Sequence, residues 1–139
     1  MRYYRVSVIT LNPGFGRDFE QVRKIVNEAH DKLKLEERWS VYEVVAGAPA
    51  GTYIIFFPMA SLAQWDKGEQ MHAKAYQEAL GEASRDRLQD FQRAGVKDSE
   101  TMLFSFSPKM SYLPKEMTDR DPDFWTPKPA PAPQKEEKK

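Results

Sequence analysis

The stretch RWSVYEVVAGAPAGTYIIFFP, residues 38–58, decides the fold of this 139-residue chain. Its two flanks, residues 39–46 and 52–57, are rich in β-branched and aromatic side chains, which favour extended strands. Between the flanks lies a Gly-Ala-Pro-Ala-Gly segment, whose glycines and proline are typical of a turn. The stretch therefore predicts a β-hairpin, and the rest of the chain is expected to pack around it.

Two further segments have the period-two pattern of strands. Residues 2–11 alternate with substantial apolar content on both sides, which predicts a central strand that ends at an Asn-Pro-Gly turn. Residues 100–107 alternate in the same way, and Pro108 closes the segment. The chain therefore supplies four strands in all.

Helical periodicity appears twice. Residues 17–35 place their apolar side chains in one stripe, and the polar face, which includes Arg23, is expected to be solvated. A short turn after Ser61 precedes a second helical stretch, residues 69–94, with a kink at Gly81. The side chains expected to face inward are Phe19, Val22, Val26, Ala29 and Leu33 in the first helix, and Met71, Ala75, Ala79, Leu88 and Phe91 in the second.

The order β-α-β-β-α-β predicts an α+β, ferredoxin-like fold: a four-stranded antiparallel sheet with both helices on one face. The other sheet face also carries apolar side chains, and an apolar patch of that size is not left in water. We expect a second copy of the chain to cover it, which gives a homodimer through the sheet face.

Length and composition predict one domain, residues 1–113, and a tail. The tail, residues 114–139, is rich in proline and lysine and is expected to be largely extended or disordered. Phe124 and Trp125 are the exception, because two large aromatic side chains in a polar tail are either idle or an anchor onto the body or a partner.

Charge and cysteine content narrow the function classes. The 21 basic residues balance the 21 acidic residues, so we expect neither nucleic acid nor an anionic membrane as a partner. The chain has no cysteine, and no apolar run is long enough to span a membrane. As written, the sequence predicts a soluble cytoplasmic protein, or a secreted or periplasmic one if a leader has been removed.

Several of these segments resemble the dimeric α+β barrel superfamily, which includes NIPSNAP-like proteins and antibiotic-biosynthesis monooxygenases. The resemblance spans about residues 2–113 and rests on the strand and helix order, the turn that leads into FEQV (residues 19–22), the strand WSVYEV (residues 39–44) and the start GTY of the third strand. It implies a barrel formed by two subunits, often with a ligand cavity between each sheet and its helices. It does not imply a single activity.

Polar side chains among apolar neighbours are the candidates for a ligand site. Arg5, Ser7 and Glu43 lie on predicted strands, where they form either a structural Arg5–Glu43 pair or a patch that orients a ligand carboxylate or phenol. The predicted ligand-binding residues are Arg5, Ser7, Glu43, Tyr53, Trp65 and His72.

Histidine is the residue type suited to a general base near neutral pH. His72 is therefore the candidate catalytic residue, with a helix-surface position as the alternative, and His30 is expected at the boundary of the first helix's apolar stripe. Asp66, Glu69 and His72 recur every third residue, a spacing that chance readily produces in a charged helix, so no metal site is predicted.

Haem-degrading members of the superfamily combine an asparagine, a tryptophan and a histidine. This chain has Ser7, Trp65 and His72 in comparable elements but lacks the asparagine, so no cofactor is predicted. The sequence also lacks phosphate-binding loops and hydrolase motifs. The predicted function is a small-molecule-binding homodimer without an identifiable catalytic motif. The alternatives are a cofactor-independent monooxygenase acting on a phenol or quinol, with a haem-degrading oxygenase as the less favoured form, and an interaction protein that uses its proline-rich tail.

Overall fold

The computed structural model describes residues 1–68 and 74–126. In this part of the chain it contains four strands and six helices. The chain divides into two units, Met1–Ser105 and Phe106–Lys139. The first unit contains β1 (Tyr3–Leu11), α1 (Gly16–Lys32), β2 (Ser40–Glu43), β3 (Thr52–Met59), α2 (Ala63–Gly68), α3 (Lys74–Leu80), α4 (Glu82–Ala94) and β4 (Val96–Ser105).

The four strands form one antiparallel sheet in the order β2-β3-β1-β4. Strand β1 is central, as predicted, and pairs along its length with β3, from Tyr3 opposite Met59 to Thr10 opposite Thr52. It pairs on its other side with β4, where the register shifts between Thr10 and Leu11. The predicted ferredoxin-like α+β fold is confirmed.

Two strand boundaries differ from the prediction. Strand β2 covers only Ser40–Glu43 of the predicted residues 39–46, and all four of its residues are exposed at the edge of the sheet. Strand β4 begins at Val96 rather than at residue 100, directly after α4. The first residues of β4 after Val96 are the polar run KDSE, residues 97–100, which lacks the apolar alternation by which strands are predicted. An edge strand tolerates such charged side chains on both faces.

The packed core joins one face of the sheet to α1 and α4. Phe19 contacts the ring of Tyr53 at 4.7 Å between centroids and stacks on Phe91 at 5.8 Å. The fully packed members of this cluster are Leu11, Phe19, Val22, Ile55 and Phe91. The inward stripe predicted for α1 is thereby confirmed for Phe19 and Val22.

The second helical stretch is two helices in the described part of the chain. Gly81 separates α3 from α4 with a φ of +76°, a left-handed conformation that glycine adopts without strain. Phe91 is buried, as predicted, but in α3 the buried side chain is Tyr76 rather than Ala75 or Ala79. The sequence pattern suggested Ala75 and Ala79 as the inner face of this helix, which left Tyr76 on the outer face, but the Tyr76 ring reaches the interior. Met71 lies outside the described residues.

The opposite face of the sheet carries the alternate residues of each strand. Tyr4, Phe56 and Tyr42 form edge-to-face ring contacts across β1, β3 and β2, with centroids 5.8 Å and 5.5 Å apart. Tyr42 is 56% exposed, and Phe104 on β4 is 49% exposed. This face is therefore apolar and in part accessible.

The second unit contains α5 (Lys115–Thr118) and α6 (Pro122–Trp125), two short helices within a segment predicted to be largely extended. The ring of Trp125 lies against Phe106 and Phe124 at 5.4 Å and 5.0 Å, so these aromatic side chains pack on one another within the unit. Residues 127–139, with most of the predicted proline-rich tail, lie outside the described residues. Among the described helices, none is long and apolar enough to cross a membrane.

Gly95 joins α4 to β4 at a point where a side chain has no room. A Cβ atom at this position would lie 2.7 Å from the Phe91 ring and 2.9 Å from the Phe15 ring. We expect Gly95→Ala to lower the free energy of unfolding by about 1–3 kcal/mol, because the packed Phe91 must shift. Urea denaturation measures the change.

Gly16→Ala is the matched control, because its Cβ atom would meet only the Tyr53 hydroxyl at an ordinary 3.7 Å. Alanine has a higher helix propensity than glycine, so the free energy of unfolding of this variant is expected to equal that of the parent or to exceed it by up to about 1 kcal/mol. Equal stability of the Gly95→Ala variant and the parent would contradict the crowding at Gly95.

Candidate functional site

The layer between the sheet and the helices is packed at one end and hollow at the other. The core cluster around Phe19 fills the first end, whereas a cavity of about 520 Å³ occupies the second. This volume lies within the range of roughly 300–1,000 Å³ typical of small-molecule sites. The sheet contributes Arg5, Phe57, Pro58 and Met59; α1 and the following segment contribute Arg23, Val26, His30, Leu33, Leu35, Glu36, Glu37, Arg38 and Trp39; α2 and α3 contribute Gln64, Trp65, Ala75 and Tyr76.

Three aromatic side chains give the cavity its apolar walls. Trp39 precedes β2, Phe57 lies on the helix-facing side of β3, and Trp65 lies on α2. The rings of Trp39 and Phe57 are 5.9 Å apart and tilted by 47°. Broad apolar surfaces of this kind bind the rings or hydrocarbon chains of a ligand.

His30 is buried in the wall formed by α1. Its Nδ1 lies 2.9 Å from the carbonyl oxygen of Val26 one turn earlier. A carbonyl oxygen only accepts hydrogen bonds, so Nδ1 carries the hydrogen and donates it. The imidazole edge also contacts Trp39 at 4.6 Å and Tyr76 at 5.4 Å between centroids. His30 therefore fixes the positions of these two rings.

Arg5 brings a positive charge into the cavity from the central strand. Its guanidinium carbon lies 4.0 Å from the centre of the Phe57 ring and 5.4 Å from the centre of the Trp65 ring. Aromatic faces attract cations, and this contact favours a half-buried guanidinium.

Arg23 brings a second positive charge from α1. Its guanidinium carbon lies 5.0 Å from the centre of the Trp39 ring, and its Nε and Nη2 atoms are buried. Burial lowers the pKa of Arg23, and the nearby Tyr76 partly opposes this shift. Burial likewise raises the pKa of Tyr76, and Arg23 opposes that shift. Within the described residues, none of Arg23 Nε, Arg23 Nη2 and Tyr76 Oη has a hydrogen-bond partner.

The residues predicted from the sequence to bind a ligand are dispersed. Arg5 and Trp65 line the cavity together. Ser7 instead shares a hydrogen bond with Thr101 at 3.0 Å, and Tyr53 packs on the core ring of Phe19, where burial, followed by the nearby Glu43 and Glu20 charges, raises its pKa. Glu43 itself is exposed on β2, and His72 lies outside the described residues.

The suggested pair of Arg5 and Glu43 is not a cross-strand neighbour pair. Arg5 lies opposite Phe57, whereas Glu43 lies opposite Tyr53, four residues away along β3. Four residues of strand correspond to roughly 13 Å. The register therefore places the two charged residues at different ends of the sheet.

The expectation that Arg23 is solvated was wrong. Phe19, Arg23 and Val26 are spaced by four and three residues, so Arg23 lies on the same side of α1 as buried residues. His30 and Leu33 continue this second stripe along the cavity. The spacing was present in the sequence, but the polarity of Arg23 assigned it to the opposite face. Tyr76 was missed for the related reason that the alanines of α3 were taken as its inner face.

No group of acidic and histidine side chains suited to holding a metal ion occurs among residues 1–68 and 74–126. Asp66 belongs to this part of the chain, whereas Glu69 and His72 lie outside the described residues. The cavity instead combines three guanidinium groups, two carboxylates, one phenol and one imidazole with aromatic walls. Such a combination of polar groups and aromatic walls is typical of sites for small organic molecules.

Comparison with known proteins found structural similarity without sequence similarity. No protein-family model and no curated protein matches the sequence. Among solved structures, a NIPSNAP domain protein from Burkholderia xenovorans is similar with a TM-score of 0.56 at 9% identity, over 76% of this chain and 94% of that one. A NIPSNAP-like domain protein from the same organism gives 0.54 at 14% identity, over 81% and 90%. A protein from Agrobacterium tumefaciens gives 0.53 at 13% identity, over 76% and 93%.

At these identities the similarity concerns the fold alone. The chain has the ferredoxin-like α+β fold, as do these solved NIPSNAP domain structures, in agreement with the resemblance noted in the sequence. Because this fold supports many unrelated activities, the function has to be argued from the cavity itself.

Tyr76 makes the stability of the protein sensitive to alkaline pH. Its folded-state pKa is raised above the ordinary 10.0, so above that pH the folded chain retains a proton that the unfolded chain has lost. The free energy of unfolding therefore falls as the pH rises through and beyond 10. We expect Tyr76→Phe to reduce this fall, as measured by urea denaturation at neutral and alkaline pH.

Tyr112→Phe is the control, because Tyr112 is fully exposed. This variant is expected to keep the parental loss of stability at high pH. An identical alkaline loss in the parent and in the Tyr76→Phe variant would contradict the burial of the Tyr76 phenol.

Proposed function

We propose that this protein binds a small, largely apolar organic molecule in the cavity between its sheet and its helices. The observation that carries the proposal is the hollow end of the layer: about 520 Å³ lined by Trp39, Phe57 and Trp65 and by buried polar groups. Protein interiors are normally close-packed, and an unfilled space lined by apolar groups reduces stability. A bound molecule would fill that space.

The chemistry of the lining supports binding rather than an assigned reaction. Among the lining residues that the structure describes, there is no serine, threonine or cysteine to act as a nucleophile. His30 uses Nδ1 within its own helix, which leaves Nε2 as its remaining ring nitrogen. The monooxygenase alternative stays a prediction, because its candidate base, His72, lies outside the described residues.

We also propose that the protein is a homodimer in which each sheet covers the other. Support comes from the second sheet face, where Tyr42 and Phe104 are about half exposed beside Tyr4 and Phe56. An apolar surface of this kind is stabilised when a matching surface covers it, and two identical antiparallel sheets match through a twofold axis.

The ligand proposal predicts binding of N-phenylnaphthylamine, a neutral aromatic probe whose fluorescence rises in apolar sites. We expect saturable binding by the parent protein. Ala75 lines the cavity from α3, so Ala75→Phe should fill part of it and weaken probe binding at least about tenfold. Fluorescence titration measures both affinities.

Ala83→Phe is the matched control, since Ala83 is an exposed helical alanine that does not line the cavity. This variant should bind the probe like the parent protein. Equal binding by the parent and both variants would place the probe elsewhere and contradict the proposed site.

The dimer proposal predicts that Phe104→Lys separates the subunits. A lysine on the sheet face would bring two positive charges to the proposed interface, and we expect the dissociation constant of the dimer to rise at least about tenfold. Leu103→Lys is the control, because Leu103 is similarly exposed at 47%, against 49% for Phe104, but points to the other side of β4. Sedimentation velocity of all three proteins measures the change, and a monomeric parent would contradict the dimer.

A further inference from the structure

We propose that the cavity ligand carries a carboxylate, and that the guanidinium of Arg23 and the hydroxyl of Tyr76 bind it. This inference rests on the proposed ligand-binding function and names the chemical class of the ligand. Its basis is a half-buried cation on α1 and a buried phenol on α3, which line the same cavity and have polar atoms without a hydrogen-bond partner among the described residues.

The charge of Arg23 lacks a counterion within the described residues. The ion pairs found there join other residues, such as Arg87 with Asp18, and none includes Arg23. Glu36 and Glu37 also line the cavity, but both are exposed to water. An arginine keeps its positive charge at neutral pH, so the cavity holds a cation that no described acidic group neutralises.

Burial without an acceptor is costly for both groups. A guanidinium has only hydrogen-bond donors, and the Nε and Nη2 atoms of Arg23 are buried without an acceptor among the described residues. The fall in the pKa of Arg23 has burial as its largest cause, which means that nearby charges do not offset the desolvation. A phenol with the ordinary pKa of 10.0 is already protonated at neutral pH, and burial raises the pKa of Tyr76 further, so Tyr76 too offers a donor.

A carboxylate would supply both the negative charge that Arg23 lacks and hydrogen-bond acceptors for Arg23 and Tyr76. Its two oxygens match the planar fork of a guanidinium, and a spare lone pair can accept the phenol hydrogen.

The remaining walls select an apolar body for this acid. The ring of Trp39 lies under the Arg23 guanidinium at 5.0 Å, and the rings of Phe57 and Trp65 continue the aromatic surface. The guanidinium of Arg5 lies over the ring of Phe57 at the sheet side. The site therefore suits an aromatic or long-chain carboxylic acid with its head group at Arg23.

Displacement of N-phenylnaphthylamine by two matched compounds tests the inference. Naphthylacetate and naphthylacetamide have nearly the same shape, but only the former is charged at neutral pH. We expect naphthylacetate to displace the probe at a concentration about tenfold lower than naphthylacetamide does, since a charged hydrogen bond adds to a shared apolar contact.

Arg23→Met should abolish this preference, measured as the ratio of the two displacing concentrations within the variant, because methionine keeps the apolar stem and removes the charge. Arg17→Met is the matched control: Arg17 is exposed on the same helix and does not line the cavity, so the preference should persist. Tyr76→Phe should reduce the preference by a smaller factor.

The outcomes separate the two proposals. Probe binding with equal displacement by the acid and the amide would overturn the carboxylate inference and leave the ligand-binding function standing. A preference for the acid that survives Arg23→Met would overturn the assignment to Arg23. Failure of the parent protein to bind the probe, the acid and the amide would overturn both proposals.

Discussion

The structure depends on two guanidinium groups held in an apolar layer. Arg5 rests on the ring of Phe57 and Arg23 on the ring of Trp39, at 4.0 Å and 5.0 Å. Contact with aromatic faces favours these positions, but it does not replace the hydration that a cation loses on burial. These two guanidinium groups lie at the hollow end of the layer, whereas Phe19 lies in the packed cluster at the other end.

Helix α1 serves both ends of this layer. Its first two turns bury Phe19 and Val22 in the core, and the later turns present Val26 and His30 to the cavity. His30 satisfies one nitrogen with the Val26 carbonyl and wedges its ring between Trp39 and Tyr76. A polar side chain can therefore support the cavity wall without leaving that nitrogen unpaired. The packed first half of α1 therefore holds the second half, which lines the cavity, in position.

Periodicity was sufficient to predict the fold but not the site. The alternation in β1 and the stripe of α1 report which residues face the interior, because burial of apolar side chains dominates folding. Arg23 and Tyr76 do not follow that rule, since their burial depends on partners far away in the sequence. Spacing placed Arg23 on the inner side of the helix, while its charge suggested the outer side. Arg5 was singled out in the sequence because it is a charged residue among apolar neighbours, and Trp65 because haem-degrading proteins of similar fold have a tryptophan in a comparable element.

The two faces of the sheet tie the proposed ligand site to the proposed dimer. Successive residues of β1 point to opposite faces, so Arg5 on the cavity side lies between Tyr4 and Val6 on the other side. A shift of one residue would turn Arg5 toward the apolar face and bring Tyr4 into the cavity. Pairing with β3 and β4 on both sides holds β1 in its register. Because β1 is paired on both sides, Arg5 stays on the cavity face of the sheet and Tyr4 stays on the opposite face.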